Sequence, residues 1–301
     1  MAAVMRLKKQ QVSNFLWGWV FILPTFLGIV VLNIYPLIRT IWQSFHRVGH
    51  FGRGNEFVGL ENWQTMINDP AVLQSLWNTL LYTVIEVPFS IAIGFIFAVI
   101  LNQKIRGRSF FRTVFFLPMI VAPAAVAMVW NFLLNTTFGL VNIILTSIGL
   151  NAIPFLTDMN LAIYSLAMVG VWSGFGYVVI LFLAGLQNIP QEMYESAEID
   201  GASFIRKQLS ITIPLISPTT FFILILRVIW AMQVFDLIFL MIGRHGLTLP
   251  RTQSLVFLFY RYSFMELNRG LGAAIVLFLL AVIMIFTFIQ NYVSKRWVHY
   301  E

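Results

Sequence analysis

The sequence predicts an all-α integral membrane protein of six transmembrane helices with both ends in the cytoplasm. Three observations predict it. Of 301 residues, 59% are hydrophobic and only 10% charged, which is too apolar for a water-soluble globule of this size. Six apolar runs, 15–38, 76–101, 113–134, 160–186, 217–242 and 270–292, are each long enough to cross about 30 Å of hydrocarbon at about 1.5 Å per residue. The basic residues are also distributed unequally between the two sides that six crossings define. Eleven (Arg6, Lys8, Lys9, Lys104, Arg106, Arg108, Arg112, Arg206, Lys207, Lys295 and Arg296) fall on the side of the termini. Six (Arg47, Arg53, Arg244, Arg251, Arg261 and Arg269) fall opposite, while Arg39 and Arg227 lie at or within spans. The positive-inside rule then places 1–14, 102–110, 190–213 and 293–301 in the cytoplasm, and 46–72 and 243–265 outside.

The net charge of +7 does not point to nucleic acid, because the basic residues are dispersed beside apolar spans and not gathered on one soluble face. With no cysteine there is neither a disulfide framework nor a thiolate metal site, and His46, His50, His245 and His299 are scattered. The first apolar run is too long for a signal-peptide core and lacks a small-residue cleavage pattern, so it reads as a retained span.

Pro24, Pro36, Pro88, Pro118 and Pro123 sit within or at the edges of the first three spans, where a missing N–H tends to kink a helix. Such kinks either line a pathway or merely shape packing. Gly170 and Gly174 form a small-xxx-small pair on the fourth span, which predicts close helix packing.

The longest polar interruption of the second half runs from Pro190 to Pro218 and holds Glu192, Glu195, Glu198 and Asp200, four of the twelve acidic residues. Hydrocarbon would not accept them, so this segment lies in water. Asn188 and Gln191 are spaced like a capping box, Pro190 suits a first turn, and Glu192 and Glu195 favour the positive helix end, which predicts a helix to about Asp200. Gly201 permits a sharp turn, and Ser203 can cap a second helix over 204–211, ended by Pro214 and Pro218. The expected product is a rigid helix-turn-helix plug with an acidic flank and an apolar flank of Met193, Ala197, Phe204, Ile205 and Leu209, suited to a cleft in another protein.

On the fifth span Arg227, Trp230, Gln233 and Asp236 recur every third residue and form one spiralling row. Lipid would not tolerate it, so the row is expected to face the bundle interior, with Arg227 near Glu86 of the second span. A transport path and a structural ion pair beside a packing tryptophan both account for these residues.

Glu195-Ser196-Ala197, then Gly201, Ile211 and Ile213-Pro214 resemble the signature of the binding-protein-dependent ABC importer permeases, with Ser196 and Ile213 in place of alanine and leucine. Phe57-Val-Gly-Leu-Glu-Asn-Trp63, Ser75-Leu-Trp-Asn-Thr79, Phe110-Phe-Arg-Thr-Val-Phe-Phe-Leu-Pro118 and Ala184-Gly-Leu-Gln-Asn-Ile-Pro190 are similar to further landmarks of that family. Together they look most like the carbohydrate-type branch, the maltose, lactose and glycerol-phosphate permeases, and its first permease subunit. Met241-Ile-Gly-Arg-His-Gly246 departs from that pattern after span five.

The resemblance implies the type I importer architecture, a multi-pass place in a bacterial or archaeal cell membrane, and a sugar or oligosaccharide cargo. It further implies a second homologous permease subunit, two cytoplasmic ATPase subunits that bind ATP and Mg, and an extracytoplasmic substrate-binding protein. Glu195, Ala197, Asp200, Gly201, Ile211 and Pro214 would then couple the chain to the ATPases. No phosphate-binding loop, His-Glu-x-x-His pair or nucleophile elbow is present in the sequence, so neither nucleotide hydrolysis nor other catalysis and no cofactor is expected here. An ion-coupled secondary transporter is the main alternative, although such carriers usually have more spans and an internal repeat; within the importer reading, glycerol phosphate or another polar solute is the alternative cargo.

Overall fold

The computed structural model describes residues 2–48, 55–103 and 106–298. Arg53, Lys104, His50, His299 and the end of the C-terminal tail lie outside the described residues. In chain order the elements are α1 (Ala2–Ile29), α2 (Tyr35–Ser44), the two-residue strands β1 (His46–Arg47) and β2 (Glu56–Phe57), α3 (Glu61–Asn68), α4 (Pro70–Asn102), α5 (Arg108–Ile120), α6 (Pro123–Leu133) and α7 (Leu140–Ser147). They continue with α8 (Ala162–Gln187), α9 (Gln191–Ile199), α10 (Phe204–Lys207), α11 (Ile213–Leu215), α12 (Ser217–Met232), α13 (Leu249–Thr252), α14 (Leu255–Tyr260) and α15 (Arg269–Ser294).

Among the described residues, four helices are long and apolar enough to cross a membrane: Trp17–Ser44, Pro70–Asn102, Ala162–Gln187 and Arg269–Ser294. A fifth candidate is the pair Phe204–Leu215 and Ser217–Met232, bent by 68°. The third expected span, 113–134, is not one helix but two, α5 and α6, of 13 and 11 residues. Pro123 is the cause: it has no N–H to donate and pushes Ala122 out of the helical region, to φ −56°, ψ 134°. The fifth, 217–242, is also interrupted. Its helix stops at Met232, and the N–H groups of Gln233 and Val234 reach back only three residues, to Trp230 and Ala231.

Pro24 and Pro88, by contrast, are carried inside continuous helices. Two further prolines follow π turns, Val30–Ile34 before Pro36 and Gln208–Thr212 before Pro214. In each turn the residue ahead of the proline donates five residues back, Tyr35 to Val30 and Ile213 to Gln208. The wider turn makes room for a ring that would otherwise clash with a carbonyl one turn earlier.

The centre of the bundle is the packing of α4 on α8, with α12 across both. Asp69 caps α4, its Oδ1 accepting from Ala71 N at 2.8 Å, and Pro70 occupies the first turn, where its missing donor costs nothing. Along α4 the buried polar residues Ser75, Thr79, Thr83, Glu86 and Ser90 fall on one face, at helical spacing. That face is directed into the protein together with the buried apolar residues Val72, Tyr82, Val87, Ala98 and Leu101, while Leu73, Trp77, Val84, Phe89, Ile96 and Ile100 are left exposed. It is hydrogen-bonded: Asn78 Nδ2 donates to the carbonyls of Pro250 and Gln253 at 3.1 Å each, and Thr79 Oγ1 accepts from Leu255 N at 3.0 Å. These bonds fix the short helices α13 and α14 against α4. At the other edge α2 packs on α15, and Asn62 Nδ2 donates to the carbonyls of Ser44 and His46, so the end of α2 is satisfied by the Phe57–Trp63 landmark.

Candidate functional site

Two places in the fold carry chemistry that packing alone does not require. The first is a cavity of about 370 Å³ inside the bundle, lined by Tyr82 and Glu86 of α4, Ser173 and Tyr177 of α8, Arg227 and Trp230 of α12, and Gln233 and Asp236 beyond it. Pro118, Val121 and Pro123 add the α5–α6 break to its wall. Both interrupted helices therefore break at the same cavity, where irregular backbone can be tolerated because it does not face lipid.

Arg227 and Glu86 form the expected ion pair, with 8% and 1% of their surfaces exposed. Glu86 Oε1 meets Arg227 Nη2 and also accepts from Ser90 Oγ at 2.6 Å. Two charges so far from water persist only when paired, since either alone would cost several kcal/mol (about 3 to 5). Gly170 and Gly174 are what admit the pair. A Cβ on Gly170 would run into Tyr82 and Glu86, and one on Gly174 into the Arg227 guanidinium. The small-xxx-small pair thus packs closely, and what it packs against is the charged groups.

The expected helical row of Arg227, Trp230, Gln233 and Asp236 is corrected here. Arg227 and Trp230 are on α12, but Gln233 is its C-cap at φ −100°, ψ 16°, and Asp236 lies past the break. All four still border the one cavity, gathered by the break after α12 and not by continuous helical periodicity. Ser254 holds the break in place, its Oγ donating to Val234 O at 2.5 Å, and Asn131 Nδ2 donates to Met241 O at 3.0 Å. The Trp230 ring lies 5.0 Å from that of Tyr177, and the Arg227 guanidinium 5.9 Å from the Trp230 centroid. Tyr82, Ser173 and Tyr177 were not picked out from the sequence. The signal was there: Tyr82 is one turn before Glu86, and Gly170, Ser173, Gly174 and Tyr177 share one face of α8.

The second place is the helix-turn-helix of 190–213. The α9 helix runs from Gln191 to Ile199 with Asp200 as its C-cap. Gly201 adopts φ +70°, and the turn is a Schellman motif: Ala202 N donates to Ala197 O at 2.9 Å and Gly201 N to Glu198 O at 3.0 Å. The Glu-x-Ala-x-x-x-Gly spacing therefore places Ala197 and Gly201 at the two ends of one capping arrangement. Ser203 caps α10 as expected, its Oγ accepting from Arg206 N at 3.4 Å.

Two expectations fail in this segment. The Asn188–Gln191 capping box does not form, because Pro190 takes the N-cap position itself and Gln191 Nε2 turns to Glu195 Oε1 at 2.9 Å. The second helix does not end at Ile211 but continues through the π turn to Leu215, with Pro214 inside it; the break comes at Ile216.

The two arms of the plug are tied by Lys207 Nζ donating to Glu198 Oε1 at 2.7 Å and by Tyr194 Oη bonded to Thr212 Oγ1 at 2.9 Å. The apolar flank of Met193, Phe204, Ile205 and Leu209 is exposed. From the plug the chain passes through Ile216, at a bend of 68°, directly into α12, and ten residues along that helix, about 15 Å, stands Arg227.

Residues 90–299 match the family described as binding-protein-dependent transport system inner membrane component. The chain is 32% identical over 289 residues to an sn-glycerol-3-phosphate transport system permease protein of Agrobacterium fabrum, covering 95% of this chain and 97% of the relative. To a trehalose/maltose transport system permease protein of Thermococcus litoralis it is 33% identical over 278 residues, 92% of this chain and 93% of the relative. In fold it is similar to a chain of a bacterial alginate ABC transporter crystallised with an alginate pentasaccharide-bound periplasmic protein, at a TM-score of 0.85 and 22% identity over 95% of this chain and 96% of that one.

Proposed function

This chain belongs to the family of binding-protein-dependent transport system inner membrane components, and from that premise we propose that it forms one half of an ATP-driven import path for a hydroxyl-bearing solute, a sugar or oligosaccharide. The observation that carries the proposal is the cavity at which α5–α6 and α12 both break, with the Arg227–Glu86 pair, Trp230, Tyr177, Gln233 and Asp236 around it. Aromatic faces beside amide and carboxylate groups suit a sugar ring, which offers C–H faces for stacking and hydroxyls for hydrogen bonds. The relative whose name specifies trehalose/maltose supports a cargo of this kind.

In this reading the α5–α6 pair counts as a crossing and makes six, with both termini and the 190–213 loop in the cytoplasm and the residues between 15 and 292 forming one permease domain in a bacterial or archaeal cell membrane. A second, similar permease completes the path, two cytoplasmic ATPase subunits supply the energy, and an extracytoplasmic binding protein delivers the solute. The helix-turn-helix docks on an ATPase through its exposed apolar flank, and Glu195 and Asp200 meet basic or amide groups there. Closure of the ATPases around nucleotide moves the plug as a rigid body. Because α12 continues from it, the motion reaches Arg227 and Trp230 and shifts the population between inward- and outward-facing states.

Purifying the tagged chain from its native membrane and reconstituting the complex in liposomes tests the proposal. The expected result is a co-purifying second permease and ATPase, with uptake that stops when ATP is omitted. A chain that purifies alone and drives uptake from an ion gradient overturns it in favour of a secondary carrier.

A further inference from the structure

We infer that the cavity between the broken helices is selective by charge: it takes uncharged, hydroxyl-bearing solutes and rejects those carrying a phosphate or carboxylate, and Asp236 is the residue that sets this. The inference rests on the reading above, that the cavity lies on the transport path. The charged residues lining it are Glu86, Arg227 and Asp236. Glu86 and Arg227 neutralise each other in their buried pair. The Arg227 cation, which would otherwise attract an anion, is thus already satisfied and additionally lies over the Trp230 face. Asp236 remains: it is exposed, and within the described residues it makes no ion pair or hydrogen bond. One cationic and two anionic side chains leave the cavity with a net negative charge, in a low-dielectric surround that lengthens its reach.

The remaining polar groups suit a hydroxylated solute. Ser173 Oγ donates to Gly170 O at 3.0 Å and keeps its lone pairs, and the Gln233 amide both donates and accepts. Hydroxyls, which do both, match this mixture, whereas an ammonium group can only donate. The aromatic pair of Trp230 and Tyr177 offers a flat apolar face to the ring that bears them.

The chain has no cysteine, so the charge can be read directly in the assembled complex. Ser173→Cys is introduced, its copurification with the ATPase is checked, and modification is followed by the mass of this chain. The probes are a cationic trimethylammonium-ethyl and an anionic sulfonato-ethyl methanethiosulfonate, each normalised to its rate with free mercaptoethanol. The cationic reagent is expected to react at least about tenfold faster than the anionic one, and Asp236→Asn to bring the ratio to within about twofold while Asp236→Glu preserves it. Should Ser173→Cys fail to assemble, Gln233→Cys reports the same ratio. An anionic reagent that reacts as fast as the cationic one, or a ratio indifferent to Asp236→Asn, overturns the charge selectivity and leaves the path intact. If neither reagent modifies either cysteine in any nucleotide state, the cavity is off the water-accessible path, and the reading beneath this inference fails with it.

Discussion

The Arg227 guanidinium reaches the Glu86 carboxylate through the gap left by two glycines of α8, so that the one buried ion pair seen among the described residues rests on the absence of two side chains. Glu86→Gln should therefore be costly: it leaves Arg227 buried without a counter-charge, a loss of about 3 kcal/mol. Thermal unfolding of the detergent-solubilised complex measures it. The double variant Glu86→Gln, Arg227→Gln is expected to recover part of the loss, because it removes the uncompensated charge. Single variants as stable as the parent would mean that the pair is not formed in the membrane.

Gly174→Ala should be damaging although the change is one methyl group, because that methyl meets the guanidinium. Overpacking of this kind costs about 1 to 3 kcal/mol. Gly28→Ala is the control, since nothing lies within 4 Å of the Cβ it would add. Expression level and assembly into the proposed complex should fall for the first and stay for the second; equal behaviour of the two would count against the packing described.

At Gly201 the positive φ of 70° is the issue, with open space around it. A β-branched residue there is strained by about 1 to 2 kcal/mol and re-aims α9 against α10. Gly201→Val is expected to leave the chain folded in the membrane and to abolish ATP-driven uptake, with the ATPase lost on purification or hydrolysing without response to solute. Glu195→Ala, which removes one partner of Gln191 on an exposed face, should be milder. Normal uptake by a stable Gly201→Val complex would remove the lever role of this loop.

The Lys207–Glu198 bridge between the arms is a smaller effect. Glu198 is 64% exposed, so solvent screens the pair and its coupling energy should lie below about 1 kcal/mol. A double-mutant cycle on Lys207→Ala and Glu198→Ala, read in ATPase activity against salt concentration, should show an interaction that shrinks as salt rises. A salt-independent cycle would place these residues inside a desolvated interface instead.

The proposed sidedness rests on the distribution of charge. Cysteines at Leu247 and Ala202, in segments assigned to opposite faces, should respond oppositely to a membrane-impermeant thiol reagent on intact cells, with labelling only at Leu247. Labelling of Ala202 from outside would invert the topology.

Much of this was determined by the sequence alone. The apolar runs, the acidic interruption and its Gly201 turn, and the approach of Arg227 to Glu86 follow from local rules: hydrocarbon excludes unpaired charge, and only glycine turns there without strain. The break at Pro123 was partly legible, because a proline inside a span raises the prospect of one, though Pro24 and Pro88 show that it need not follow. The end of α12 at Met232 was not legible at all. Residues 219–242 contain neither glycine nor proline, and the run, although it carries Arg227, Gln233 and Asp236, holds no local stop signal at Met232. Past the break the chain is held by long-range bonds, with the Val234 carbonyl taken by Ser254 and the Met241 carbonyl by Asn131. Those partners come from elements far along the chain or packed from another side. A three-residue spacing could mark Gln233 and Asp236 as belonging with Arg227, but only tertiary hydrogen bonds could decide that they meet it around a cavity and not along a helix, because a carbonyl's choice between its own helix and a neighbour's side chain depends on where the neighbour stands.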